Sequence, residues 1–319
     1  MCADECTVVM VICQDLAMTS PQLGDLPLFV DRIGRITARA QRASELHDWG
    51  LHPQAADTGS SLALDDDGFI PARGGSLVQR AAMWPINCAT DNVSSAGRIF
   101  TDSATSNQLR ASSIMSLCRS ALESSARAIW LISDTDRAIR RQRSIGITLA
   151  EMKQQTLFNN NEVEHHHNGT VNLPADYASA FLDGHRSLLN DYAALQEEDH
   201  QPVRPFGKTV ELAATWIDEH MPAHDSGELA KNGMAAGSKR VYSISSGVIH
   251  GYQWIVDYGR NGDLFAMIAD SFAAAVNMTE CAIALYEAQA QRPTGRTDRK
   301  YHYPKRLAPT VREWSKLYR

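Results

Sequence analysis

The chain has no CxxC pair, no HExxH, no glycine-rich phosphate loop and no stretch that alternates apolar and polar residues. The first two absences argue against a zinc ribbon or a helical metalloprotease site, and the third against a P-loop. The last leaves helices as the regular element that the pattern supports. Cysteine is sparse. Cys2, Cys6, Cys13, Cys88, Cys118 and Cys281 are scattered over 319 residues, which is no framework for a small disulfide-stapled domain and points to a reducing, cytoplasmic compartment. Cys118 and Cys281 sit in apolar helical surroundings and read as small core residues, not nucleophiles. No sign of charge dominates either. The net charge of −6 gives no whole-protein attraction to nucleic acid or acidic lipid. The apolar segment Thr7 to Cys13 is short and follows Asp4 and Glu5, where a secretory signal carries basic residues. Met18 offers a second start, so residues 1–20 are set apart as an N-terminal segment ahead of a helical domain over 21–291.

What is present is helical periodicity. Phe29, Ile33, Ile36 and Leu46 mark a first helix from Pro27 to Trp49. A loop follows from His52 to Gly75, with the acidic run Asp65-Asp66-Asp67. Ser76 to Phe100 reads as helical with a break or kink at Pro85. The third helix, Asn107 to Ser133, has the apolar face Ile114, Leu117, Ala121, Leu122, Ile129 and Ile132. Arg119, Glu123 and Arg127 recur every four residues on its far side, with Trp130 near them. The string SDTD at 133–136 offers N-cap oxygens and acidic first-turn residues for a fourth helix, Asp136 to about Asn159, that begins with Arg137, Arg140, Arg141 and Arg143. Asn159 to Asn172 is a polar interruption in which the His165-His166-His167 triplet, near Glu162 and Glu164, reads as a solvated loop and not as a metal site. Further helices follow over Asp176–Leu195 and Thr209–Met221, then a linker over 222–239, and a last long helix over Leu264–Ala290. The fold class is all-α: a bundle of about seven or eight helices around one buried central helix, residues 241–256.

That central stretch, VYSISSGVIHGYQWIV, carries no charge and one imidazole. Sixteen residues fall short of the roughly 20 that span a bilayer, so no membrane segment is expected here. Val241, Ile244, Val248, Tyr252 and Ile255 share one face; Tyr242, Ser246, His250 and Trp254 share another. Gly247 and Gly251 mark a stripe where a neighbouring backbone can come close. If Arg119 and Glu123 turn inward, they join Tyr242, Ser246 and His250 in one polar pocket. There His250 could exchange a proton while Arg119 stabilises phosphate charge. Alternatively the same residues form a structural hydrogen-bond network in a non-catalytic interaction or regulatory protein. Nothing in the sequence calls for a metal or cofactor.

The segments LCRSALESSARAIWLI, SDTDRAIRRQRSI and YSISSGVIHG, in this order, resemble a group of actinobacterial helical proteins of prophage and chromosomal origin. That group is in turn distantly similar to the HEPN superfamily, helical bundles that often act as dimeric, metal-independent ribonucleases in toxin and phage-defence systems. The resemblance implies RNA as a partner and a homodimer as the assembly. The HEPN signature has four to six residues between Arg and His. Here nine residues separate Arg240 from His250, whereas Arg42 with His47 and Arg296 with His302 match by spacing alone.

From Arg292 to Arg319 nine Lys or Arg residues against Asp298 and Glu313 give a local +7, interleaved with Tyr301, Tyr303, Trp314 and Tyr318. Such a segment can bind single-stranded RNA by stacking and phosphate neutralisation, or fold back on a body of opposite charge.

Overall fold

A computed structural model describes residues 26–318 apart from 171–173, 226, 259–263, 295 and 296; the segment 1–20 lies outside the described residues. All regular structure among the described residues is helical. In chain order the α-helices are α1 (Leu26–Leu51), α2 (Ser61–Asp66), α3 (Leu77–Ser106), α4 (Ala111–Ile132), α5 (Arg137–His167) and α6 (Ala175–Gln196). They continue with α7 (Phe206–Glu219), α8 (Glu228–Asn232), α9 (Ala235–Ile249), α10 (Trp254–Tyr258), α11 (Leu264–Ala290) and α12 (Ala308–Trp314).

The core is a ring of four helices, α1, α3, α4 and α11, each packed on the next. Pairings across the ring give the directions. Arg39 meets Asn277, Arg42 meets Glu280 and Trp49 meets Glu287, a constant offset of 238 residues, so α1 and α11 run parallel in fixed register. On α4, Ser125 meets Thr279 and the Ile132 carbonyl meets Gln289, again parallel. Against α1, by contrast, α3 runs antiparallel, with Ser94 opposite His47 and Gly97 opposite Ala40.

Of the four, α11 is the most deeply buried, almost throughout from Phe265 to Ala290. It is also the one helix among the described residues long and apolar enough to span a membrane, and 89% of its most apolar window lies inside the bundle. A helix apolar on every side packs at the centre of a fold. The expectation of one buried central helix over 241–256 is therefore corrected. Helix α9 begins earlier, at Ala235, inside the expected linker, and ends at Ile249. His250 is its C-cap and Gly251 adopts φ 64°; the Gly251 N–H bonds the Val248 carbonyl and the Tyr252 N–H bonds that of Gly247. This is the left-handed glycine stop in which two terminal carbonyls are satisfied. The chain then folds back through α10, so that Trp254 and Ile255 lie over Gly247, where an added Cβ would come within 2.7 Å of the indole. Gly247 is thus a close-approach glycine, whereas Gly251 serves the backbone turn and has open space around it.

Pro85 does not break α3, which runs on to Ser106 and stops at Asn107 in the left-handed conformation. The ring clash and lost amide cost about 3 kcal/mol. Val78, Ala82, Ile86, Ala89, Val93 and Ala96 continue one fully buried stripe across the proline and offset it. The Asp65-Asp66-Asp67 run is not a free loop. Asp66 accepts the Val78 and Gln79 N–H groups at the start of α3, and buried Asp65 takes two hydrogen bonds from buried Arg140.

The polar interruption expected after Asn159 is likewise helical, since α5 continues to the His triplet, which forms its last turn. Helices α5 and α6 make an antiparallel hairpin. Ile145, Leu149 and Met152 of α5 pack with Leu188, Tyr192 and Leu195 of α6 in one apolar cluster, at the three- and four-residue spacing of a helix seam. Asn159 Nδ2 donates to His185 Nδ1 at 3.4 Å in the middle of this seam. Helix α6 packs chiefly on α5, so the hairpin stands out from the ring as an arm. Leu157, Phe158, Tyr177 and Leu189 on it are exposed.

The C-terminal basic segment docks on the body. Arg299 is buried against Glu287 and donates to the Gln54 and Ala55 carbonyls at 2.9 and 2.5 Å. Tyr303, Leu307, Val311 and Trp314 are buried, while Tyr301 is exposed.

Candidate functional site

Helix α9 packs on α4 and α7, which sets the environment of the Arg119 face. The apolar stripe of α4 turns Ile114, Cys118, Ala121, Leu122 and Ile129 into the ring, and α9 and α7 cover part of the opposite side. Arg119 is consequently buried. Its Nε donates to Glu123 Oε1 at 2.7 Å, and its guanidinium carbon lies 4.4 Å from the Tyr242 ring centroid. The same ring rests on Gly207 at the start of α7, where a Cβ would meet Tyr242 Cε1 at 3.2 Å. Arg119 Nη1 is buried without a hydrogen-bond partner. Arg127, two turns beyond Arg119, reaches Glu151 on α5 at 3.3 Å. Arg143 of α5 holds the Trp130 carbonyl at 2.7 Å and lies over the Trp130 ring, so the far side of α4 is closed by α5, α7 and α9 together.

The structure thus brings together Arg119, Glu123 and Tyr242. Ser246 is half-buried one turn on, and His250 is exposed at the end of α9, beside Tyr252. Eight residues separate Tyr242 from His250, about 12 Å along the helix axis. Charge-assisted contacts act at hydrogen-bond range, so the imidazole and the guanidinium belong to separate places. Of the two spacing matches to an Arg–His signature, Arg42 is committed to Glu280 and His47 to Ser94, and Arg296 lies outside the described residues. Burial pushes the Cys118 and Cys281 thiols well up, so neither is a ready nucleophile.

A second polar centre joins residues that lie far apart in the sequence. Glu280, fully buried on α11, accepts hydrogen bonds from Arg42 Nε at 3.0 Å and from Arg306 Nε and Nη2 at 3.1 and 2.5 Å. His224 Nε2 lies 3.3 Å from its other oxygen, and His224 Nδ1 is 2.8 Å from Thr310 Oγ1. Burial alone would raise the carboxyl pKa; His224, Arg42 and Arg306 around it outweigh that and hold it down to about 2. This centre ties α1, the segment before α8 and the C-terminal segment to α11. Its signal in the sequence was the spacing: Asn277, Glu280 and Glu287 interrupt an apolar helix at the intervals at which Arg39, Arg42 and Trp49 recur in α1.

One group among the described residues has metal-ligand types close together. Asp48, His52 and His302 have ligand atoms within 4.8 Å of one another. The two imidazoles are stacked, 4.1 Å between centroids and 10° from parallel, with Asp48 carboxylate oxygens 3.1 and 3.0 Å from their Nδ1 atoms. Ring-nitrogen lone pairs lie in the ring plane, and two stacked planes do not meet on one ion, so this is a carboxylate between two imidazoles.

No protein family, curated protein or solved structure matches this chain.

Proposed function

We propose that the protein works by binding, as a non-catalytic helical interaction or regulatory protein, and does not turn over RNA. The observation that carries this reading is the state of Arg119: its guanidinium is held between Glu123 and the Tyr242 ring, while His250 is exposed on α9 about two helical turns beyond Tyr242. Metal-independent phosphodiester cleavage needs a proton-transfer group and a cation on the same few atoms of substrate. Here the cation holds α4 to α9, and the imidazole ends a helix. A double-mutant cycle on Arg119→Ala and Glu123→Ala tests this. A structural clamp gives a coupling of about 0.5–3 kcal/mol in unfolding free energy. Additive losses would remove the clamp and with it this reading.

The arm supplies the binding element. A two-helix hairpin buries one face of each helix, and the α5–α6 seam is already filled by its own apolar cluster. The apolar residues left outside it, Leu157, Phe158, Tyr177 and Leu189, suit a second copy of the chain, two hairpins forming a four-helix bundle. Sedimentation equilibrium is expected to show a dimer that Phe158→Asp dissociates. A monomer at all concentrations would overturn the assembly.

A further inference from the structure

Between α1, α8, α9 and α11 lies a cleft of about 220 Å³, apart from the Arg119 clamp. Leu229, Met234 and Val241 give it an apolar wall, and α11 presents Ala273 and Ala274 to it. Its polar lining has both signs. Ser238 is fully buried, and its Oγ has no hydrogen-bond partner. Ser243 and Ser271, by contrast, bond back to the carbonyl four residues earlier. An orphaned buried hydroxyl is destabilising, so a polar group that meets it in the cleft is favoured. Asn277 Oδ1 accepts from Arg39 and Arg42 at 2.6 and 3.3 Å, which leaves its Nδ2 to donate. Arg35 and Arg240 line the same space, and so does one carboxylate, Asp270. Neither Arg240 nor Asp270 makes an ion pair among the described residues.

The N-terminus of α9 is not itself the attraction, because the Asp218 carboxylate already takes the Met234 and Ala235 N–H groups at 2.5 and 3.0 Å. What the cleft offers is a set of donors, Ser238 Oγ, Asn277 Nδ2 and Arg240, and a separate acceptor. Asp270 lies seven residues before Asn277 on the same face of α11, about 10 Å along the axis. Two hydrogen bonds of about 2.9 Å leave roughly 4 Å between the charged groups of a ligand that bridges them, the span across a single carbon. A phosphate monoester would bring about two negative charges beside Asp270, whereas a carboxylate next to an ammonium matches both signs. The apolar wall suits an aliphatic side chain.

We propose that this cleft binds an aliphatic α-amino acid, its carboxylate received by Ser238, Asn277 and Arg240 and its ammonium by Asp270. This goes beyond the interaction role and does not rest on it.

Calorimetric titration of the full chain with leucine tests the site, with 4-methylpentanoate and 3-methylbutylamine as ligands that each lack one charged group. Saturable binding of leucine is expected, at least tenfold tighter than either half-ligand. Asp270→Asn should weaken leucine at least tenfold and leave 4-methylpentanoate unchanged, and Ser238→Ala should weaken both. Gly237 lines the cleft with nothing within 4 Å of an added Cβ, so Gly237→Leu fills it and should abolish binding. Thermal melts establish that each variant is folded, and Ser238→Ala, which removes an orphaned hydroxyl, keeps the test open if Gly237→Leu is not. No saturable binding of leucine, valine or methionine, or 4-methylpentanoate binding as tightly as leucine, overturns the proposal.

Discussion

Replacing Glu280 by Gln should reveal how much of the fold rests on one carboxylate. The variant keeps the shape of the side chain but removes the charge, and it turns an amide N–H toward a guanidinium of Arg42 or Arg306. Breaking a buried ion pair from one side costs about 3–5 kcal/mol. Both arginines retain some solvent contact and second partners, Asp225 for Arg42 and Glu45 for Arg306, which places the cost near the lower end. The carboxyl itself gives an independent figure. A free glutamate titrates at 4.5 and this one at about 2. At about 1.4 kcal/mol per tenfold change in proton affinity the difference is worth roughly 3 kcal/mol. Because the folded pKa is the lower one, that stabilisation is present above pH 4.5 and is lost as the pH falls toward 2. Urea unfolding of both proteins should show Glu280→Gln about 3 kcal/mol less stable at pH 7, with the gap closing to about 1 kcal/mol at pH 3. A gap below 1 kcal/mol at pH 7, or one that does not change with pH, would refute the assignment of His224, Arg42 and Arg306 as the groups that hold this carboxylate ionised.

Other substitutions test separate parts of the fold. Gly146→Ala puts a Cβ 1.8 Å from the Gln201 carbonyl oxygen, where the segment after α6 crosses α5. It should destabilise by at least the 1–3 kcal/mol typical of overpacking, read as a loss in chemical unfolding. Gly251→Ala should cost about 1–2 kcal/mol from its left-handed backbone alone. Gly251→Leu should cost little more, since nothing lies within 4 Å, whereas Gly247→Leu, which runs into Trp254, should melt lowest of the three. Deleting residues 297–319 should lower the melting temperature and expose apolar surface to a reporter dye, because Arg299, Leu307, Val311 and Trp314 are buried against the body. An unchanged melt would mean that the segment is not part of the fold.

Much of the helical content was legible because the apolar spacing of α1, α4 and α11 follows the helix period whatever packs on it. Boundaries failed where tertiary structure overrode local signals. Pro85 stays inside α3 because a buried stripe runs across it, and Asn159 stays inside α5 because its amide meets His185 of the antiparallel helix. Spacing alone marks the glycines of the 241–256 stretch as small residues, whereas Gly251 is there for its positive φ and ends the helix. The site was half legible. Charge spacing on α4 and the tyrosine on α9 pointed to partners that do meet, but His250 was assigned inward on the premise of an unbroken helix. The Glu280 centre joins residues 42, 224, 280 and 306; matched spacing links 42 with 280, but no local pattern brings in His224 or Arg306.

Binding without turnover is tested by incubating the purified full chain with labelled single-stranded RNA in a metal-chelating buffer. His250→Ala and Arg119→Lys are run alongside. Cleavage no faster than in buffer alone is expected for all three proteins. Cleavage by the parent that either substitution abolishes, while its melting temperature stays unchanged, would contradict the account.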